Sequence, residues 1–312
     1  MKISAANQRK LLYKVDKLTK FGKLTVLNIC IAIILIGVCY IILSPVIGII
    51  STAVMHPDDL GNPLVYLIPL TFTLDNIRYA FTHMHFFMTM RNALSFSVGF
   101  ALMHVFITSF VGYGFARFRF KGSGALFALV LITIVVPVQT YVVPMFMQFR
   151  FFVGGANLIG SFWTIALLTL TGVGLRSGLY IYIFRQFFKG LPKEIEEAAF
   201  IDGAGPFATY IRVMLPNAIP AIITVFLFAF VWHYNDTFYT GMFVPGNRLI
   251  AVSLGSVGGN FSGADDGITR TPPEVQMVVF AAVLLAITPI LAIYLFLQRF
   301  FMEGLERSGI VG

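Results

Sequence analysis

Residues Leu191 to Pro220 read LPKEIEEAAFIDGAGPFATYIRVMLPNAIP, and the reading of this stretch decides the fold. It is the longest run in the second half of the chain that a bilayer core would reject, and it lies between two strongly apolar segments. Pro192 suits the first turn of a helix, where its missing N–H costs nothing. Glu194, Glu196 and Glu197 fall in the first two turns, where the positive end of the helix dipole favours carboxylates. Asp202-Gly203 predicts a break, because glycine takes the positive φ that a sharp turn needs. Pro206 predicts the start of a second short helix, and Leu215-Pro216 its end. The expected product is a helix–turn–helix knuckle held at a membrane surface.

The stretch resembles the signature loop of binding-protein-dependent ABC importers. That pattern runs Glu-Ala-Ala, three residues, Gly, nine residues, Ile, one residue, Leu-Pro. Here Glu197, Ala198, Ala199, Gly203, Val213, Leu215 and Pro216 keep every spacing, and Val213 replaces the isoleucine with another β-branched apolar residue. The end of the chain is similar to the smaller, second permease of maltose-type importers: Gln298-Arg299-Phe300-Phe301, then Glu303-Gly304-Leu305. That family usually closes on Lys-Gly, whereas this chain has Val311-Gly312. The resemblance in segment number and spacing covers roughly residues 26 to 312.

Composition reaches the membrane independently. Of 312 residues, 58% are hydrophobic and 12% charged, and the mean hydropathy is +0.85. Soluble domains carry about 25% charged residues, so the chain is expected to be an all-α polytopic membrane protein. Cys30 and Cys39 lie about 13 Å apart along one helix, too far to pair. They read as packing residues and say nothing about redox compartment.

Loop charges predict the topology. Residues 1–25 form a basic tail in which Lys2, Arg9, Lys10, Lys14, Lys17, Lys20 and Lys23 outnumber the single acid Asp16. Val26–Ile50 is too long for the apolar core of a signal peptide and reads as the first span. Five further spans are expected: Arg91–Phe115, Gly124–Phe149, Leu158–Phe184, Ala218–Phe243 and Val275–Leu297. Arg117, Arg119, Lys121, Arg185, Lys189, Lys193 and Arg212 then all fall on one side, which the positive-inside rule makes cytoplasmic. The expected organisation is a tail (1–25), a six-helix permease domain (26–300) containing the loop 191–220, and a short tail (301–312), with both termini cytoplasmic.

The chain has no Gly-x-x-x-x-Gly-Lys-Ser/Thr phosphate cradle, no metal-ligand cluster and no catalytic triad motif. His83-x-His85 lacks a third ligand. Uphill transport would need fuel burned elsewhere, so the chain is not expected to be an enzyme and is expected to hold no cofactor or metal.

Polar side chains at membrane depth are costly and mark candidate pathways. Gln139 and Tyr141 lie beside Pro137, and Trp232, Tyr234, Asn235 and Asp236 cluster near the end of the fifth expected span. Aromatic rings can stack on sugar C–H faces, and the amide and carboxylate can bond hydroxyls. The same residues also suit an interfacial belt and helix packing. His104 reads as either pathway or packing. Pro137 and Pro144 predict kinks in the third span. Gly172, Gly174 and Gly178 read as close helix contacts in the fourth.

What the resemblance implies is a type I ABC importer permease fold and a carbohydrate, of oligosaccharide size, as solute. The loop would dock on a cytoplasmic ATPase through Glu197, Ala198, Ala199, Asp202, Gly203, Val213, Leu215 and Pro216, with Phe200, Phe207 and Tyr210 as apolar anchors. The implied partners are a second permease, two ATP-binding subunits that hold ATP and Mg, an extracytoplasmic solute-binding protein and the bilayer; no nucleic acid is implied. The location would be the cytoplasmic membrane of a bacterium. Two rival readings are a non-sugar solute such as glycerol phosphate or a peptide, and an ATPase-independent secondary transporter. Arg248 and Arg270 in the external loops are met by Asp265, Asp266 and Glu274, which favours a neutral solute.

Overall fold

The computed structural model describes residues 5–63, 65, 68–260 and 271–309. Lys2, the loop residues Asp265, Asp266 and Arg270, and the terminal Val311 and Gly312 lie outside them. The described residues are helical, with one isolated bridge between Met55 and Phe72 and no named strand.

The chain divides into two units, residues 1–74 and 75–312. In the first, α1 (Ala5–Ala53) runs unbroken from the basic segment into the first expected span. Leu27–Ala53 is apolar all round, with a hydropathy of 2.8, as suits a helix surrounded by lipid. Pro45 lies inside this helix. The connection after it folds back on itself: Thr73 N–H donates to Val54 O at 2.8 Å, and Thr71 N–H to the Asp59 carboxylate at 2.8 Å.

The second unit begins with α2 (Asp75–His83) and α3 (Phe86–Arg117), followed by α4 (Ser123–Val135), α5 (Val142–Arg150), α6 (Trp163–Leu170) and α7 (Ser177–Gly190). The knuckle follows as α8 (Glu194–Ile201), α9 (Pro206–Thr209), a π-helical turn (Tyr210–Met214) and α10 (Leu215–Asn217). Then come α11 (Ile219–Asn235), α12 (Phe238–Phe243), α13 (Ile250–Asn260) and α14 (Pro272–Gly309). α3 is the central helix of this unit and packs along α7 and α11. A Cβ built on Gly112 would stand 2.6 Å from Phe184 Cβ and 3.0 Å from the Arg185 amide, so α3 and α7 touch backbone to backbone there. Gly178 makes the same kind of approach to α4, where its Cβ would clash with the Thr133 hydroxyl.

Among the described residues three helices are long and apolar enough to cross a membrane: Leu27–Ala53, Phe86–Arg117 and Pro273–Phe296. The third, fourth and fifth expected spans are not continuous helices. Each is broken once, and each break has a local cause. Pro137 holds Val136 in an extended conformation (φ −70°, ψ 120°) and ends α4. Pro144 was expected to kink the span too, but it sits in the first turn of α5, where no N–H is missed. Between α6 and α7, Gly172 (φ +73°) and Arg176 (φ +61°) both take left-handed backbone. Asp236 (φ −70°, ψ 117°) separates α11 from α12.

Leu215-Pro216 does not end the second knuckle helix. Pro216 stands at the start of a helical turn, and the chain stays helical to Asn217 before bending by 79° into α11.

Candidate functional site: a clamped knuckle and a cavity at three helix breaks

The knuckle turns at Gly203. The Gly203 N–H donates to Phe200 O at 3.0 Å and the Ala204 N–H to Ala199 O at 3.0 Å. This is the Schellman pattern, which needs left-handed backbone at the residue after the cap. Gly203 supplies it with φ +83°. A Cβ there would meet nothing within 4 Å, so the glycine is required for its conformation and not for space.

The knuckle is fastened to α3 by three side chains of that helix. Tyr113 Oη donates to Glu196 Oε1 at 2.5 Å. Arg117 pairs with the other Glu196 oxygen at 3.3 Å and donates to Leu191 O at 2.8 Å. Ser109 Oγ and Tyr210 Oη lie 2.7 Å apart, both buried. A buried ion pair is worth having only when its remaining donors and acceptors are also met, and the Tyr113 and Leu191 bonds do much of that.

Helical phase then sorts the signature residues. Ala199 is buried against the domain, while Glu197, Ala198, Asp202, Gly203 and Pro216 are exposed, and Val213 and Leu215 are half-buried. Of the three expected anchors, Phe207 is 61% exposed and Phe200 43%, but Tyr210 is buried in its bond to Ser109 and offers nothing to a partner. Ile201, not singled out in the sequence, is 85% exposed at the tip of α8. Nor was Glu196 distinguished from its neighbours, although it alone of the first-turn acids is buried.

The second site is a cavity of about 790 Å³. All three helix breaks line it: residues 132–139 and Tyr141 from the first, 172–179 from the second, and Trp232 with 235–239 from the third. At membrane depth, non-helical backbone is tolerated where it borders protein or a water-filled cavity, because its polar groups need partners. Gln139, Tyr141, Trp232, Asn235 and Asp236 all border this space. Tyr234 does not: it is buried, and its hydroxyl donates to Ala286 O at 2.8 Å. Both Asp236 carboxylate oxygens are engaged by the first turn of α12, accepting from Tyr239 N–H at 3.1 Å and Thr240 N–H at 2.8 Å. The charged cavity residue overlooked in the sequence is Arg176. An arginine inside an otherwise apolar span is the signal that would have found it. Its guanidinium lies over the Trp232 ring, Cζ 4.3 Å from the centroid.

Behind the cavity wall, His104 is fully buried. Its Nδ1 is 3.3 Å from Ser177 Oγ, and its ring stacks near His233 at 5.1 Å. It packs the core and does not border the cavity. Gly174 leaves room for it, since a Cβ there would be 3.0 Å from His104 Cε1. Among the described residues no group of three or more His, Cys, Asp or Glu is placed to hold a metal.

A helical membrane domain with an apolar surface knuckle at one site and a polar cavity among broken helices at another is the build of a transport permease. Residues 104–307 match the family of the binding-protein-dependent transport system inner membrane component, and the chain belongs to that family. Protein LplC of Bacillus subtilis (strain 168) is 26% identical over 302 residues, covering 94% of this chain and 97% of that protein. The arabinooligosaccharides transport system permease protein AraQ of Halalkalibacterium halodurans is 25% identical, covering 88% of this chain and 93% of that one. Among solved structures, a chain of a bacterial ABC transporter involved in the import of the acidic polysaccharide alginate superposes with a TM-score of 0.73. It covers 88% of this chain and 96% of that chain at 20% identity, which shows the ABC importer permease fold. The protein is thus an integral inner-membrane transport component and not an enzyme; in this family the ATPase is a separate subunit.

Proposed function

We propose that this chain is one of two permease subunits of an ABC importer that carries a carbohydrate, of oligosaccharide size, across the cytoplasmic membrane of a bacterium. The solute class rests on relatives whose own names specify saccharides, such as the arabinooligosaccharide permease. Two cytoplasmic subunits bind ATP and Mg and dock on the loop 191–220, and an extracytoplasmic binding protein delivers solute. The chain crosses the bilayer six times between residues 26 and 300, with the broken helix pairs serving as the third, fourth and fifth spans and both termini cytoplasmic. Gln139, Tyr141, Trp232, Asn235 and Asp236 border the solute's path.

The observation that carries this reading is the knuckle. Ile201 and Phe207 stand in solvent at 85% and 61% exposure, on a loop whose other face is fixed by Glu196 and Tyr210. A rigidly held apolar tip is a docking device. Coupling then follows if the ATPase binds the two global states of the permease pair unequally. The test is co-purification of the ATPase with Ile201→Asp. The expected outcome is loss of the ATPase subunit from a permease pair that still inserts. Full retention, with solute-dependent hydrolysis intact, would remove the loop from the docking role.

A further inference from the structure

Arg176 and Asp236 are the only charged residues among the described residues lining the cavity. They are not each other's partner. Asp236 is spent on the amides of Tyr239 and Thr240. Arg176 pairs with no carboxylate among the described residues, and its side chain is exposed to the cavity. What lies against it is Trp232, with the guanidinium carbon over the ring at 4.3 Å; a guanidinium on a ring face can still donate its N–H groups at its edge.

The backbone gives an independent reason to look here. Arg176 has φ +61°, which costs a non-glycine residue strain that glycine would not bear. The residue is therefore kept in place against a local preference. Around it the cavity is bordered by the amide of Gln139, by that of Asn235, which donates to Val231 O at 3.0 Å and keeps its carbonyl oxygen, and by the phenol of Tyr141, which bonds that of Tyr239; these are groups suited to hydroxyls, beside apolar walls from Val173 and Phe238.

We propose that the cavity is a site for a carboxylated saccharide, with Arg176, seated on Trp232, as the group that binds the carboxylate of a uronic acid unit. This rests on the carbohydrate reading above and replaces its neutral solute by an acidic one. A guanidinium edge matches a carboxylate with two parallel hydrogen bonds. A phosphate dianion fits less well. The lining has one unpaired cation, and a second negative charge would stay uncompensated in a poorly solvated space.

The experiment uses the purified permease–ATPase complex in lipid nanodiscs, without binding protein, so that only the membrane part selects. Equilibrium binding is measured for trisaccharides of galacturonate, glucuronate and mannuronate, for the same trisaccharides with carboxyls reduced to alcohols, and for a sugar phosphate. The expected result is at least a tenfold preference for one uronide over its reduced counterpart. Arg176→Gln should erase that preference, and Arg176→Lys, which keeps the charge without the planar fork, should keep part of it. A reduced sugar bound as tightly as its uronide overturns the acidic site and leaves the carbohydrate reading standing. So does a preference that survives Arg176→Gln in an assembled complex, or tighter binding of the sugar phosphate. Binding of no saccharide at all overturns the site, and the carbohydrate reading falls with it only if the full complex with its binding protein also takes up no saccharide.

Discussion

At the knuckle, Glu196 is met inside the chain by Tyr113 and Arg117, and Tyr210 by Ser109. At the cavity, Arg176 lies over the Trp232 ring with no carboxylate partner among the described residues, and the three helices around it are each interrupted. One region meets Glu196 and Tyr210 from within the chain and turns apolar side chains outward; the other leaves its one cation without a carboxylate among the described residues and sets the Gln139 amide at the cavity edge. A part that must transmit force has to keep its shape, so internal satisfaction suits it. On the proposed role of the cavity, a part that accepts and releases a solute needs some donors left open, as at Arg176.

Changes at the two regions should therefore fail differently. The largest effect is expected from Gly203→Pro. Proline fixes φ near −65° where +83° is required, and it deletes the N–H bonded to Phe200 O. ATP-driven uptake by an assembled complex should be abolished, and uptake at the wild-type rate would show that the knuckle's turn does not matter. Glu196→Ala comes next. It leaves Arg117 buried without its partner, at a cost of about 3 kcal/mol. The thermal transition of the complex should fall clearly, whereas Glu197→Ala at the exposed neighbour should leave it in place. The smallest effect is expected on the cavity side. Asp236→Ala removes the cap on α12, worth about 1 kcal/mol, and should lower the same transition only slightly. A fall as large as that of Glu196→Ala would mean that the cavity, too, is held by internal satisfaction.

The knuckle was legible in the sequence because its signals are local. Proline at a first turn, glycine at a cap and the spacing of Glu197 to Pro216 each act within a few residues. Which glutamate turns inward was not legible, since it depends on the phase of α8 against α3, and Tyr113 and Arg117 are some eighty residues away in the chain. The same holds for Tyr210, whose sequence reads as an anchor and whose hydroxyl is claimed by Ser109. The spans were legible as apolar runs, but hydropathy averages over a window and passes smoothly across Gly172 or Asp236. The breaks are set by single residues, and only Pro137 announced itself. Tyr234 and Trp232, two positions apart, read alike as aromatic pathway residues. A helix turn of about 200° separates them, enough to send one to Ala286 and the other to Arg176.

Ile201 bears on how the protein is made. Its side chain is 85% exposed, and Phe207 on the next helix of the knuckle is 61% exposed, which is apolar surface suited to being covered. On the docking proposed for this loop, a copy that reached the membrane ahead of an ATPase subunit would display an apolar, water-facing tip, the kind of surface that chaperones and membrane proteases read as unfinished work. If the loop docks as proposed, the timing of subunit supply then bears on each copy through one isoleucine at the end of an eight-residue helix.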